Sequence, residues 1–463
     1  MDKQNLQLLF EYVDQHFDEM VQELKDICSF RSVSGDKEGL KQTKNYILRK
    51  MEQLDLEHQE YDDPKADSAI IASDNSGDSS KSIIFYNHYD VMPEGDPESW
   101  TNKQPFQADI RDGRIYARGV SDNKGGLLCR LHAIEAIRAV NKTLPVHLKF
   151  FYDGEEESSS YLMEKMAMEE KELFIKLIDA DIVIWEGGLI DDEGNPYGRF
   201  GVRGDCSFRL SVKTAEYDCH GRYGATVPGA AWRLIWALAS LKGPDEKIRI
   251  PGFYSDVIPT TQDDLEVLHA FPFDEEGFKK KTGFDHYVLN ATGDELKRRL
   301  YMEPTLSVCG LDSGDLCKNA RSIVPHSASA LISSYLVADQ DPEEIRQNLR
   351  SYLDSQGFSD IEITYGGGSK AIRTKVTTPF RQVMEQASMD VFHKPLVTEI
   401  SQMGAGPAFL WREVLPDQPI VSVGPANPES HHHAQDENLR LEDYKNSIKY
   451  IIALLYAYTE QSN

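Results

Sequence analysis

Imidazole and carboxylate side chains recur where apolar segments of this sequence end. Residues 82–86 read Ser-Ile-Ile-Phe-Tyr, which predicts a short buried strand, and His88 and Asp90 follow it. Open α/β sheets place their active sites at the carboxyl edge of their strands. A His-x-Asp motif alone is more often an ordinary polar loop. Its meaning therefore depends on whether the chain supplies further groups of the same chemistry.

Two later strands supply such groups. The predicted strand 146–152 is followed directly by the acidic residues Glu155, Glu156 and Glu157. The predicted strand 180–185 is followed by Glu186 and two glycines. Acidic runs are usually solvated surface, but solvated surface is less expected directly after an apolar strand. Three strand ends with groups of this kind indicate one shared site.

Asp122 and a group of histidines complete the set. Asp122 lies at a loop-to-helix junction, where an ordinary helix cap is the alternative interpretation. The predicted buried strand 419–423 leads to three consecutive histidines at 431–433. Imidazoles and carboxylates without thiolates suit Zn²⁺, Mn²⁺ or Co²⁺. The sequence therefore predicts a metal site that includes one of these histidines.

The pattern also predicts how the chemistry is divided. Two metal ions about 3.5–4 Å apart need a shared ligand, and the two oxygens of Asp122 can bridge them. Asp90 can accept the other ring N–H of His88 and fix its tautomer. Of Glu156 and Glu157, one can bind metal while the other takes a proton from water and passes it to the leaving amine.

In this order the residues resemble the M20 family of metallopeptidases over nearly the whole chain. That family includes carnosinase-type dipeptidases, aminoacylases and glutamate carboxypeptidases. His88 and Asp90 match its His-x-Asp motif, and residues 122–125 match Asp-x-Lys-Gly, in which the first peptide bond is often cis. The resemblance implies two divalent ions per chain, Zn²⁺ first and Mn²⁺ or Co²⁺ as alternatives. The metal ligands it implies are His88, Asp122, Glu157, Glu186 and His433, with His432 as the alternative to the last.

The resemblance makes Glu156 the general base. Because Glu155 is also a glutamate, the Glu-Glu motif could be aligned one residue earlier. The small residues 158–160 favour the pair Glu156 and Glu157. Carnosinase-type dipeptidases usually carry Asp at the place of Glu186, so this position departs from that subfamily.

The implied fold is α/β, with a mixed-sheet zinc-peptidase-like catalytic domain and an inserted α+β lid and dimerisation domain. We expect the catalytic domain to comprise residues 1–207 and 370–463, and the inserted domain residues 208–369. His220 matches the histidine that stabilises the oxyanion in the partner's site, which implies a homodimer formed through the lid. Two local predictions accompany this: a hairpin turn at 73–81 and a return linker at 366–369.

The substrate is implied less directly. Gly404 and Ala405 resemble the backbone loop that meets the C-terminal side of the substrate. The predicted strand 328–339 lacks the arginine that often binds the substrate carboxylate. Tyr335 takes its place, and Arg373 or Arg321 could substitute. The expected activity is amide hydrolysis of dipeptides or short peptides, with an N-acyl-amino-acid deacylase as the alternative. A non-catalytic protein is disfavoured, because every expected position is filled.

Composition limits partners and location. The net charge of -26 disfavours nucleic acid. No apolar run approaches the roughly 20 residues of a membrane span, and the first residues lack a signal-peptide pattern. The six scattered cysteines predict reduced, buried thiols in a cytoplasmic protein.

Overall fold

The computed structural model describes residues 3–77, 80–158, 160–315 and 321–461. Cys317 and Ser159, to which two of the sequence predictions refer, lie outside the described residues. The chain divides into two units. The first comprises Met1–Gly201, Thr374–Glu399 and Leu410–Asn463, and the second Val202–Arg373 and Ile400–Phe409.

Helices and strands alternate along much of the chain. The helices are α1 (Lys3–Cys28), α2 (Lys37–Gln53), α3 (Lys124–Asn141), α4 (Tyr161–Glu169), α5 (Lys171–Ile178), α6 (Ala230–Leu241), α7 (Gln262–Ala270), α8 (Glu275–Thr282), α9 (Gly293–Met302), α10 (Pro342–Ser355), α11 (Phe380–Val391), α12 (Ala408–Val414) and α13 (Leu441–Glu460). Short 3₁₀ turns lie at Pro97–Ser99, Gly221–Tyr223 and Val288–Asn290.

The strands fall into several sheets. They are β1 (Glu57–Tyr61), β2 (Ala69–Asp74), β3 (Ser82–His88), β4 (Asp109–Arg111), β5 (Arg114–Tyr116), β6 (His147–Asp153), β7 (Ile182–Trp185), β8 (Leu189–Ile190), β9 (Pro196–Arg199), β10 (Gly201–Lys213), β11 (Cys219–His220), β12 (Ser307–Ser313), β13 (Ile323–Val324), β14 (Ser327–Leu336), β15 (Glu362–Ser369), β16 (Ile372–Arg373), β17 (Val397–Glu399), β18 (Gln402–Ala405), β19 (Ile420–Ser422) and β20 (Asn438–Arg440).

The first unit is built on a mixed sheet with the order β1-β2-β6-β3-β7-β19-β9-β17. Strands β6, β3, β7 and β19 run parallel to one another. Their residues are almost wholly buried, as expected for parallel strands covered on both faces. Tyr86 stacks on Trp185 with ring centroids 3.7 Å apart. The carboxyl ends of β3, β6 and β7 therefore meet at one edge, as the sequence predicts.

The second unit is an α+β layer. Its antiparallel sheet has the order β12-β14-β10-β15. Strand β14 alternates buried and exposed residues along its length, and α6 and α10 contribute to the apolar core that its buried face joins. Helices α7, α8 and α9 occupy the segment between α6 and β12. The α/β fold with an inserted α+β unit matches the prediction.

Three local predictions are wrong. The predicted hairpin turn at 73–81, of which residues 78–79 lie outside the described residues, would join β2 and β3 as neighbours, but β6 lies between these two strands in the sheet. Residues 366–369 are not a linker but belong to β15, where Gly368 pairs with Cys206 of β10. The glycines there allow the two strands to pack closely. Gly404 and Ala405 form part of strand β18, parallel to β10, rather than a loop.

The cysteines agree with expectation only in part. Cys28, Cys129 and Cys206 are buried free thiols, whereas Cys219 is half-buried and Cys309 is exposed on the edge strand β12. Within the part of the chain that the structure describes, no helix is both long and apolar enough to cross a bilayer.

Candidate metal centre

His88, the last residue of β3, presents its two ring nitrogens to different groups. Nδ1 lies 3.1 Å from the carbonyl oxygen and 3.2 Å from Oδ1 of Asp90. Nε2 lies 3.1 Å from Oδ1 of Asp122 and 3.0 Å from Oε2 of Glu186, which follows β7. Asp90 thus faces the ring nitrogen that points away from the site, as a residue that fixes a ligand tautomer does.

The two oxygens of Asp122 face different histidines. Oδ1 faces His88, and Oδ2 lies 3.2 Å from Nε2 of His433. The same His433 nitrogen lies 3.2 Å from Oε2 of Glu157. By these shortest contacts, Asp122 lies between two groups of residues. His88 and Glu186 complete one group, and His433 and Glu157 the other.

His432 is placed less favourably than His433. Its Nδ1 lies 3.8 Å from Oδ2 of Asp122, whereas Nε2 of His433 lies 3.2 Å from the same oxygen. The peptide bond between Asp122 and Asn123 is cis, in line with the resemblance.

Asp90 also holds the two glutamates that follow β6. Its Oδ1 accepts the backbone N–H of Glu156 at 3.1 Å, and its Oδ2 accepts that of Glu157 at 3.0 Å. A third hydrogen bond comes from the hydroxyl of Ser34 at 2.8 Å. This double role of Asp90 was not predicted, because it depends on the path of the loop after β6.

Glu155 points away from the cluster. Its Oε1 accepts the backbone N–H of Leu162 in the first turn of α4 at 2.7 Å, and its Oε2 accepts that of Asp67 at 3.3 Å. The structure therefore brings Glu156 and Glu157, rather than Glu155, together with His88.

The site carries an excess of negative charge that raises the pKa of its bases. Hydrogen bonds to Asp122 and Glu157 raise the pKa of His433 to about 10. Burial opposes protonation of His88, but the charge of Glu186 and hydrogen bonds to neighbouring carboxylates raise its pKa well above the usual value. Burial, together with the charge of Glu186, raises the pKa of Glu156 well above that of an ordinary carboxyl. A cation between these groups would relieve this repulsion.

The donor set fits a pair of divalent ions. Oε1 of Glu157 is buried without a hydrogen bond to any described residue. Buried carboxylate oxygens left in this state are costly unless they are paired or bind metal. Ligand atoms of His88, Asp122 and Glu157 lie within 4.8 Å of one another, as do those of His88, Glu156 and Glu186. Nitrogen and oxygen donors without sulfur suit Zn²⁺, Mn²⁺ or Co²⁺.

A third group of possible ligands has a different explanation. Glu23, His132 and Glu135 also lie close together. The ammonium of Lys50 sits among them, 2.7 Å from Oε2 of Glu23 and 2.6 Å from Oε2 of Glu135. This cation already balances the two carboxylates, so the group is a partly buried ion-pair network.

Glu437 supports the loop that carries Asp122. Its carboxylate is fully buried. Oε1 accepts the backbone N–H groups of Ser121 and Asp122, and Oε2 accepts that of Gly119 and the guanidinium of Arg118. Sequence reasoning missed this role. A glutamate four residues after the last ligand, His433, was the one signal that could have identified it.

The remaining predicted residues belong to the second unit. His220 ends β11 and is exposed. Tyr335 is 42% exposed on β14. Arg373 is half-buried, with its guanidinium 3.7 Å from Asp264. Gly404 and Ala405 lie on β18, where a Cβ added to Gly404 meets no atom within 4 Å.

Comparison with known proteins places this site in a family. The profile of Peptidase family M20/M25/M40 matches residues 84–457. The chain therefore belongs to this family, as the sequence motifs predicted, and it is an enzyme of the metallopeptidase class.

Individual relatives agree with this assignment. The structure matches an M20 family metallo-carboxypeptidase from Sulfolobus solfataricus with a TM-score of 0.84 and 31% identity, covering 95% of this chain and 99% of that one. The Beta-Ala-His dipeptidase of Rattus norvegicus is 27% identical over 76% of this chain and 74% of its own. The Cys-Gly metallodipeptidase of Schizosaccharomyces pombe is 26% identical over 76% of each chain.

Proposed function

We propose that the chain is a dinuclear metal-dependent peptidase that hydrolyses the amide bond of dipeptides or short peptides. The observation that carries the proposal is the division of Asp122 between two histidines, with Oδ1 facing His88 and Oδ2 facing His433. A carboxylate shared in this way is what a pair of ions requires of its bridging ligand. The peptidase names of its relatives favour peptides over the N-acyl amino acids of the alternative.

The proposed ligands follow the two groups. His88 and Glu186 would hold one ion, His433 and Glu157 would hold the other, and Asp122 would contribute to both. Zn²⁺ is the proposed metal, because the donors are nitrogen and oxygen and two imidazoles take part. Such a pair of ions supplies positive charge that makes water more acidic and polarises the scissile carbonyl.

Glu156 is the proposed general base and then acid. Its backbone is held by Asp90, and its carboxyl group lies among His88, Asp122 and Glu186 without being one of the proposed ligands. From this position it can take a proton from the attacking water and deliver it to the leaving amine. The neighbouring ligand Glu157 is fixed by the same aspartate, so the base and the ligand are positioned together.

The second unit is proposed to act as a lid and dimerisation domain. Its helix α6 exposes Trp232, Ile235 and Trp236, and the edge strand β12 exposes Val308 and Leu311. Exposed apolar side chains and a strand at the edge of the sheet, as far as the described residues show it, favour association with a second copy. In such a homodimer His220 of one subunit donates a hydrogen bond to the oxyanion formed in the site of the other.

The substrate contacts are proposed to come from the same unit. Gly404 and Ala405 offer backbone groups, and Tyr335 and Arg373 offer polar side chains in place of the missing arginine of the predicted strand. Arg373 lies 3.7 Å from Asp264, which shares its charge and weakens it as a carboxylate anchor. A cytoplasmic location remains a prediction from the cysteine pattern.

The test combines chelation with a substrate panel. The enzyme is treated with EDTA, and Zn²⁺, Mn²⁺ or Co²⁺ is then added back. The panel contains an unblocked dipeptide, a tripeptide and an N-acetylated amino acid. We expect activity on the unblocked peptides that is lost with EDTA and restored by metal. Activity that survives complete chelation contradicts the proposal, and cleavage of the acetylated substrate alone supports the deacylase.

A further inference from the structure

We propose that Asp218 and His326 form a positioning pair that fixes His220 for its role in the reaction. The inference rests on the oxyanion role proposed for His220 and names the residues that make it effective. Asp218 directly precedes β11, which ends in His220, and His326 directly precedes β14. Asp218 and His326 are thus separated by about a hundred residues in sequence, but they contact each other beside the segment that carries His220.

The contact is made by two hydrogen bonds to one oxygen. Oδ1 of Asp218 lies 2.7 Å from Nδ1 of His326 and accepts the backbone N–H of His326 at 3.2 Å. Hydrogen bonding by His326 lowers the pKa of Asp218 below its usual value. Arg321 adds a longer ion pair, 3.6 Å from Oδ2 of Asp218.

The same residues close the loop between β10 and β11. The carbonyl oxygen of His326 accepts the backbone N–H of Thr214 at 2.8 Å, directly after β10. The loop from Thr214 to Asp218 therefore begins and ends at residues that are hydrogen-bonded to His326. Both ends of this loop are tied to one residue, which defines where the following β11 begins.

Beyond the pair, β11 lies on β13. His220 pairs with Ile323, and the backbone N–H of Gly221 donates to the carbonyl of Ser322 at 2.8 Å. A Cβ on Gly221 would lie 2.3 Å from Oγ and 3.1 Å from the carbonyl oxygen of Ser322, so the two segments approach closely here. The two-residue pairing is short, and a strand pair of this length is weak on its own. The Asp218–His326 pair supplies the additional attachment.

The fixed segment presents one particular atom of His220. Its Nδ1 accepts the backbone N–H of Arg222 at 3.1 Å. A neutral imidazole that accepts through Nδ1 carries its proton on Nε2. Nε2–H is therefore the donor available to an oxyanion, and its direction is set by the segment that Asp218 and His326 hold. Oxyanion donors act over a narrow range of distances, so small displacements matter.

The experiment uses the full-length, metal-loaded enzyme with His326→Phe and His326→Asn. Phenylalanine keeps a ring but removes Nδ1, whereas the asparagine amide places a nitrogen near the position of Nδ1. We expect His326→Phe to lower kcat about tenfold with KM changed less than about twofold, because misplacing a catalytic group affects the transition state more than binding. His326→Asn should recover most of the kcat.

A double-mutant cycle separates this role from a structural one. In a His220→Ala background, His326→Phe should lower kcat by less than about twofold, because the pair acts only through His220. The matched control is His269→Phe, which removes a His–Asp contact of the same 2.7 Å in the same unit, to Asp294. The control should leave kcat unchanged.

Two failures can be told apart. The positioning role is overturned if His326→Phe lowers kcat by a further tenfold in the His220→Ala background. It is also overturned if the loss of kcat in His326→Phe accompanies a lower melting temperature and is not recovered by His326→Asn. Wild-type kcat in His220→Ala alone overturns the proposed function of His220 instead. Should His326→Phe fail to fold, Asp218→Asn in the same cycle gives the same test from the other side of the pair.

Discussion

Glu437 accepts the backbone N–H of Asp122 at 3.0 Å and is itself fully buried. The residue that faces both histidines is therefore positioned through its main chain by a carboxylate that contacts neither histidine. Since Glu437 also pairs with Arg118 at 2.7 Å, its charge is balanced inside the protein.

The first prediction concerns this support. Glu437→Gln turns an amide NH₂ group towards backbone N–H donors and leaves Arg118 without its charged partner. We expect metal affinity to fall by about 10–100-fold and the free energy of unfolding to fall by about 3–5 kcal/mol. Titration of the metal-free protein with Zn²⁺ and thermal unfolding measure the two effects. Glu442→Gln, on an exposed helix turn, is the control, and a Glu437→Gln protein with unchanged affinity would show that the loop needs no such support.

The second prediction separates the base from its neighbour. Glu156→Gln should keep both metal ions and lower kcat by about 10²–10⁴-fold, the usual range for loss of a general base. Glu155→Gln should keep most of the kcat, because the Glu155 side chain accepts backbone N–H groups of Leu162 and Asp67. Metal analysis and steady-state kinetics on both variants make the comparison. The reverse pattern would assign the base to Glu155.

The third prediction concerns stability in acid. Burial opposes ionisation of Glu23, but hydrogen bonds from His132 and Lys50 outweigh it and lower the pKa of Glu23 to about 2. A carboxyl with a lowered folded pKa stabilises the protein above its unfolded pKa, here 4.5, and loses that contribution as the pH falls towards 2. The Glu23→Gln protein should therefore have a lower free energy of unfolding than the wild type near neutral pH. Between pH 4.5 and about 2, its free energy of unfolding should fall less than that of the wild type.

Chemical unfolding at several pH values measures this dependence. Glu98→Gln is a suitable control, because Glu98 pairs with Lys103 at the surface and its side chain is 71% exposed. Equal acid sensitivity in Glu23→Gln and the wild type would show that other carboxylates dominate acid unfolding.

The fourth prediction tests the shared site of the proposed dimer. Glu156→Gln and His220→Ala should each have low activity alone. If His220 serves the other subunit, a mixed dimer contains one site with both wild-type residues, and random mixing restores roughly a quarter of wild-type activity. Mixing after reversible dissociation, followed by an activity assay, gives the result. Absence of any recovery in verified mixed dimers would assign both residues to the same chain.

The strand-end residues could be predicted because their signal is local. An apolar run that leads directly to His88 or Glu186 indicates a strand with a polar group at its carboxyl end, and neighbouring parallel strands share one edge. The hydrogen bonds that Asp90 accepts from the backbone of Glu156 and Glu157, and the role of Glu437, could not be predicted in the same way. Each involves backbone groups of a loop far away in sequence, up to 318 residues for Glu437 and Gly119.

The wrong local predictions have a similar cause. The polar segment 73–81 has the composition of a hairpin turn, but strand β6, some seventy residues later, pairs with both β2 and β3. The glycines at 366–368 have the composition of a linker, yet they lie in β15 beside β10, where Cβ atoms on 366 and 368 would meet neighbouring atoms closer than 3 Å. Composition describes the segment alone, whereas its partners in the sheet determine its structure.

The central claim is that Asp122 joins two metal sites, and counting metal ions in ligand variants tests it most directly. We would measure bound Zn²⁺ per chain in the wild type, Glu186→Ala, His433→Ala and Asp122→Ala after equilibrium with limiting free metal. The account predicts about two ions in the wild type, about one in each of Glu186→Ala and His433→Ala, and fewer than one in Asp122→Ala. A wild-type protein that saturates at one ion, or an Asp122→Ala protein that still binds two, would contradict it.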